Sequence, residues 1–170
     1  MTRWLRTNRV AAGLLTIIRL YVGYLWFMGG VGKLFGDKAF NAAGFLKNAI
    51  TNPIMDKATS ELVYPNFTAF LEHFALPNVK VINILIPVGE LLVGLGLIVG
   101  GLTAIATFFG LMMNFMFLFA GTVSTNPWMI LFGIIILLGS ANAGRYGVDY
   151  YIMPYVKKWF KLNNKVKVDA

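Results

Sequence analysis

The sequence predicts an all-α fold: a polytopic membrane four-helix bundle with an extended outer segment between helices 1 and 2 and an interfacial C-terminal tail. Three observations predict it. Of 170 residues, 58% are hydrophobic and only 13% charged, whereas ordinary soluble domains are about 45–50% apolar. The apolar residues are gathered into long runs nearly free of charge, which read as membrane spans. Lysines and arginines, 15 against 7 acids, concentrate toward the two ends of the chain, as they do in the cytoplasmic flanks of membrane helices. The length suits one domain, residues 1–170.

The first span is predicted over about Val10–Phe35, behind Arg3, Arg6 and Arg9. A basic start followed by an apolar run resembles a signal peptide. However, Arg19 interrupts the apolar core, the run continues to Phe35, and no convincing small-residue cleavage site follows, so it reads as an uncleaved span. The outer segment, 36–78, is too long for a plain link. Within it, "KAFNAAGFLKNAI" and "NFTAFLEHFAL" mix aromatics with charges. They suit either interfacial helices forming a lid over the bundle or a surface loop with two amphipathic turns.

The second and third spans are predicted over about Val79–Gly100 and Leu102–Ala120, joined by a tight inner turn at Gly100 and Gly101. "GTVSTNP" makes a short outer turn, and Pro127 with Trp128 suits a helix start at headgroup level. The fourth span, about Trp128–Ala143, is shorter than the roughly 20 residues a crossing needs. The tail, 150–170, sets Tyr150, Tyr151, Tyr155, Trp159 and Phe160 among lysines. Such interleaving occurs in nucleic-acid binders. Directly after a span it reads as an interfacial anchor, and no nucleic-acid partner is expected. Between the first span and the foot of the second, Lys38, Lys47, Lys57 and Lys80 are balanced against Asp37, Asp56, Glu61 and Glu72. The excess of cations at the ends therefore predicts a multi-pass protein of the cell membrane with both termini cytoplasmic.

Composition also excludes chemistry. With no cysteine, the chain cannot ligate an iron–sulfur cluster through thiolates or exchange disulfides. With one histidine, His73, it cannot hold a bis-histidine haem by itself. No metal site and no covalent cofactor are expected.

The charges inside the spans are the candidate site. Arg19, Gly23, Trp26, Gly30 and Lys33 recur at helical spacing and form one stripe. Small residues on such a face let helix backbones approach. The second span carries the single intramembrane acid, Glu90, beside a ladder of glycines. Counted from the inner ends, Glu90 lies roughly 16 Å deep and Arg19 roughly 12 Å, which predicts an Arg19–Glu90 pair. Asn114, on a stripe with Gly110, Phe117 and Gly121, falls in the same layer at roughly 18 Å. Lys33, near the outer end, is expected to snorkel to the headgroups or to join this seam. The buried polar seam of Arg19, Glu90, Asn114 and Lys33 is readable as a ligand or proton path. It is equally readable as a device that fixes helix register.

These stretches resemble a known family. "RLYVGYLWFMGGVGKL" resembles the opening helix of the DoxX family, and "PVGELLVGLGLIVGGLTAIA" resembles its second span. "AGRYGVDYYI", with Arg145 and Asp149, resembles the motif that closes the fourth span in many DoxX and DoxD-like proteins. The resemblance covers nearly the whole chain in order. It implies a four-helix membrane protein, and a membrane subunit of a thiosulfate:quinone oxidoreductase-like system that binds quinone or a redox partner. Met28 stands where many relatives carry a histidine, which weakens any transfer of redox chemistry.

In that setting Arg19 and Asn114 would donate to quinone carbonyls and Glu90 would relay protons, with electrons arriving from a soluble or membrane oxidoreductase partner. Two other classes stay open: a non-enzymatic scaffold or partner-binding subunit, and a small-molecule transporter. Buried charges mark transport paths too, but four spans without internal repeats disfavour a lone secondary transporter. The bilayer is the expected partner in every case. Catalytic activity and homo-oligomerisation are left open.

Overall fold

The computed structural model describes residues 2–159. The part of the tail from 160 onward, with Phe160, Lys161, Lys165 and Lys167, lies outside the described residues.

The regular elements of the described chain are all helices, with one isolated bridge between Met55 and Leu62. A short α1, Thr2–Thr7, precedes the long α2, Arg9–Phe35. Asn8 starts α2 because its side chain accepts from the Val10 and Ala11 amides at 2.7 and 3.2 Å. This satisfies donors that the first helical turn leaves without partners. Next come α3, Ala43–Thr51, and α4, Pro65–Phe70, which runs on as a π-helical turn over Leu71–Ala75. Then follow α5, Val79–Val99, α6, Thr103–Phe119, α7, Asn126–Gly139, and α8, Asp149–Trp159.

Helix α2 packs on α5 and α7, and α6 packs on the same two. Leu15, Val22, Trp26, Val93, Leu97 and Ile136 form the buried centre of that packing. The outward faces are apolar too: Ile17, Tyr24, Ile84, Leu92, Phe108 and Leu131 are all exposed. Meanwhile Arg19, Glu90, Asn114 and Asp149 are buried. A contiguous apolar exterior around buried charge suits a lipid solvent rather than water. Two helices, α2 and α5, are long and apolar enough to cross a membrane, and α6 and α7 are shorter apolar helices.

The fourth apolar helix departs from its expected limits. It begins at Asn126 and ends at Gly139, not Ala143. Ser140 takes φ 52°, which ends the α-helix, and a single 3-10 turn follows over Ser140–Asn142. Asn142 then donates to the Leu5 and Asn8 carbonyls at 2.8 and 2.9 Å, tying the end of α7 to the α1–α2 junction.

Both amphipathic pieces of the 36–78 segment are helical. They share a second apolar core, in which Ala42, Leu46, Leu71 and Ala75 meet Ile82 of α5 and Ala120 beyond α6. The Ala42 amide donates to Asn83 Oδ1 at 2.7 Å, clipping the segment to α5. Aromatic contacts of Tyr64 and Phe67 with Phe119 close it over α6. We call this the capped end of the molecule and the opposite one, with α1 and the α5–α6 turn, the basic end. Between the two cap helices, Asp56 Oδ1 accepts from the Ala58 and Thr59 amides at 2.7 and 3.0 Å, which holds its carboxyl below the usual carboxylate range.

Candidate functional site

The glycines of α2 and α5 set how the two helices sit against each other. A Cβ on Gly30 would lie 2.6 Å from the Leu91 nitrogen, and one on Gly23 would lie 3.0 Å from the Ile98 nitrogen. A Cβ on Gly94 would overlap the Phe27 amide nitrogen and lie 2.6 Å from its Cα. The backbones therefore touch at these points, as small residues allow. In this antiparallel register Gly101 is level with about Leu20, not with Ala11. Relative to the expected alignment of Gly101 with Ala11, α5 is shifted along α2 by about nine residues, roughly 13 Å.

That offset overturns the expected Arg19–Glu90 pair. Glu90 instead meets Lys33, whose Nζ donates to Oε1 at 2.9 Å and to Oε2 at 2.7 Å. The Glu90 side chain is 4% exposed and that of Lys33 31%. Glu90 Oε2 lies over Gly29, where an added Cβ would stand 3.3 Å away. Lys33 also sits 5.7 Å from the centre of the Phe40 ring, at the edge of the cap. Met28 is exposed.

Arg19 is 1% exposed and lies at the basic end. Its guanidinium donates to the Ala143 and Tyr146 carbonyls, both at 3.2 Å. Gly100 and Gly147 make room for it: a Cβ on Gly147 would come within 2.7 Å of Nη1, and one on Gly100 would overlap the guanidinium. Its counter-charge is Asp149. The Asp149 carboxylate also accepts from the Leu102 and Thr103 amides at 2.6 and 2.8 Å, so it caps α6 from across the turn. Leu102 itself has φ 51° and supplies no cap, which is why a distant acid is needed. The Val148 and Asp149 amides donate to the Val99 and Gly100 carbonyls, completing the junction. Arg145 is half-buried, with a long 3.5 Å contact to Asn142 Oδ1.

Asn114 is 1% exposed, and its Oδ1 has no hydrogen-bond partner among the described residues. It lies on the face of α6 that meets Trp26. Gly110, one turn before it, would bring a Cβ within 3.1 Å of Trp26 Nε1, and the Phe117 ring stands 6.5 Å from that of Trp26. The seam is thus divided. Lys33 and Glu90 form one cluster toward the capped end, Arg19 and Asp149 another at the basic end, and Asn114 belongs to neither.

A family model described as DoxX matches residues 14–123 of this sequence. The chain belongs to the DoxX family. No curated protein and no solved structure matches it. As a DoxX protein it is a membrane protein, in keeping with its apolar exterior. The DoxX match takes in Arg19, Lys33, Glu90 and Asn114 and ends before Arg145 and Asp149.

In this DoxX protein a groove of about 620 Å³ lies between α5 and α6, closed at one end by the cap. Its walls include Phe70, Phe74, Leu92, Phe109 and Met116, together with Gly89 and Met113, which lie against each other. No polar side chain lines it. Gly89 and Met113 directly precede Glu90 and Asn114 in the chain. The polar residues are therefore turned into the helix packing while their neighbours face the groove.

Sequence reading missed Asp149 as the cap of α6, Gly100 and Gly147 as the walls around Arg19, and Lys33 as the partner of Glu90. One signal was available. Matching Gly23 and Gly30 of α2 against Gly94 of α5 as mutual contact points gives the register directly.

Replacing Asp149 with alanine removes the acceptor for two amides and the charge opposite Arg19. Asp149→Ala is expected to cost about 2 kcal/mol and to speed amide exchange at Leu102 and Thr103. Asp149→Asn, which keeps an acceptor, should lose less. Thermal unfolding in detergent together with exchange mass spectrometry checks this, and unchanged exchange at those amides would contradict the capping role.

Proposed function

We propose that this protein is a four-span membrane subunit of a quinone-linked oxidoreductase system, of the thiosulfate:quinone oxidoreductase kind. In this reading α2, α5, α6 and α7 cross the cell membrane, with both termini cytoplasmic. The basic end then faces anionic headgroups and the cap covers the outer side. The two shorter helices are accommodated by local thinning of the bilayer.

The observation that carries the reading is the groove between α5 and α6. It is wholly apolar, and its walls include Gly89 and Met113, the chain neighbours of Glu90 and Asn114. The walls fit the polyprenyl tail of a membrane quinone, while a headgroup needs donors that the walls do not offer. Asn114 carries the buried amide nearest in sequence to the groove wall: its Nδ2 would donate to a quinone carbonyl, and its Oδ1, without a partner among the described residues, would accept from the hydroxyl of the reduced quinol. Bound there, a quinone supplies a two-electron, two-proton acceptor. Lys33 and Glu90 would hold and pass protons between that depth and the outer surface, which the part-exposed Lys33 reaches. Arg19, expected from sequence to donate, lies at the other end and takes no part. With no cysteine and a single histidine, the chain receives electrons from a partner oxidoreductase.

A second reading has its own observation. Both Glu90 oxygens are taken by Lys33, as in a purely structural pair, and this favours a non-enzymatic scaffold that binds a redox partner. Quinone extracted from protein purified in mild detergent separates the two. About one equivalent is expected for the native chain, falling to the background of the surrounding lipid in Gly89→Phe, which fills the groove. Background levels in the native chain, with a soluble oxidoreductase copurifying, would leave the scaffold.

A further inference from the structure

A second cavity, also about 620 Å³, opens at the basic end. Arg9, Arg145, Tyr146, Tyr150 and Tyr151 line it over a floor that includes Val99 and Val148. Its electrostatics are one-sided. Among the described residues the sole acid at this end is Asp149, which is buried and already bonded to the Leu102 and Thr103 amides. Arg9 has no ion pair or side-chain hydrogen bond among the described residues, and Arg145 has only its long contact to Asn142. Arg9 also begins α2, where the helix dipole adds positive potential.

Two unpaired guanidiniums facing one cavity create an anion site, and arginine forks match phosphate oxygens. The rest of the lining is amphipathic. Tyrosine rings, with polar tips and apolar bodies, favour the headgroup layer, and the valines offer an apolar floor. A soluble anion has no use for that floor, whereas the glycerol and first methylenes of a lipid do. From this we infer a binding site for the phosphodiester headgroup of an anionic phospholipid, held by Arg9 and Arg145. The site rests on the placement of this end in a headgroup layer and is independent of the quinone reading.

Native mass spectrometry of the full chain in detergent, with dioleoylphosphatidylglycerol added, tests it. The native protein is expected to retain one equivalent of phosphatidylglycerol in preference to phosphatidylcholine. Arg9→Gln/Arg145→Gln should bind it about tenfold more weakly or worse. Arg3→Gln/Lys158→Gln removes two cations of the same end outside the cavity and should bind as the native protein does. Equal losses in the two double variants, or equal retention of phosphatidylcholine, would overturn the site. Displacement by millimolar inorganic phosphate or glycerol 3-phosphate would assign the cavity to a soluble phosphate and overturn the lipid. Arginine modification of the native chain by phenylglyoxal needs no variant. Phosphatidylglycerol should slow modification of Arg9 and Arg145 severalfold and leave Arg3 unchanged, and no protection would count against the proposal.

Discussion

Lys33→Met alone is expected to lower stability by about 3–5 kcal/mol, the usual cost of leaving a buried charge without its partner. Glu90, with its side chain 4% exposed, has no other cation within reach among the described residues. The converse change should be milder. Glu90→Leu frees an ammonium that is already 31% exposed, and its long stem lets it turn to the headgroups. A loss of about 1 kcal/mol is expected there. The double variant Lys33→Met/Glu90→Leu should recover most of the loss, because replacing both partners with apolar groups is often nearly neutral. Denaturant or thermal unfolding in detergent gives the three differences. Arg19→Leu combined with Glu90→Leu should be additive, since the two side chains lie in different clusters. Strong coupling between Arg19 and Glu90 would contradict the register described above. Activity separates a structural pair from a proton path: a structural pair leaves the stable double variant active, and a proton path does not.

Gly94→Val is the second large effect. Its Cβ would overlap the Phe27 amide nitrogen and press on Cα and Cβ of the same residue. Two of those three atoms are backbone, so no rotamer change relieves the overlap, and α2 and α5 must separate. Overpacking in cores typically costs about 1–3 kcal/mol. Displacing two helices along the largest interface of the fold should exceed that, so a loss of about 3 kcal/mol or more is expected. Gly30→Val, against the Leu91 backbone, should behave alike. Gly32→Ala is the control, because nothing lies within 4 Å of its Cβ position. It should be neutral or stabilising by about 0.5–1 kcal/mol, through helix propensity alone. Unfolding midpoints of the three variants measured side by side check this, and equal effects at Gly94 and Gly32 would show that the helices do not touch at Gly94.

Much of the fold was legible because long apolar helices are specified locally. A run of apolar residues with a cation at its foot needs no partner to declare itself, and the limits of α2, α5 and α6 fall within a residue or two of expectation. The helical character of both pieces of the 36–78 segment could be read as one of two options. Aromatic spacing shows amphipathicity but not whether anything covers the apolar side. That depended on Ile82 and Ala120, which come from elsewhere in the chain. The end of α7 was set at Ala143, whereas the α-helix stops at Gly139: Ser140 takes φ 52°, a backbone angle that composition does not record, and a 3-10 turn follows over Ser140–Asn142.

For the candidate site the division is sharper. The sequence by itself determined which charged and polar residues lie inside the apolar runs, and that their stripes carry small residues: Arg19, Lys33, Glu90 and Asn114 are all in helices that pack together. Only the tertiary structure decided who meets whom. Depth counted from the predicted ends assumes that neighbouring helices start level, and α2 and α5 do not. Their relative shift is set by backbone contact at Gly23, Gly30 and Gly94, a steric fit between two surfaces that neither helix contains alone. Nine residues of offset gave Glu90 to Lys33 and carried Arg19 to the 143–149 turn, where two backbone carbonyls accept from it and Asp149 supplies the opposite charge, because a charge in a low-dielectric interior needs whatever partners the packing brings to it.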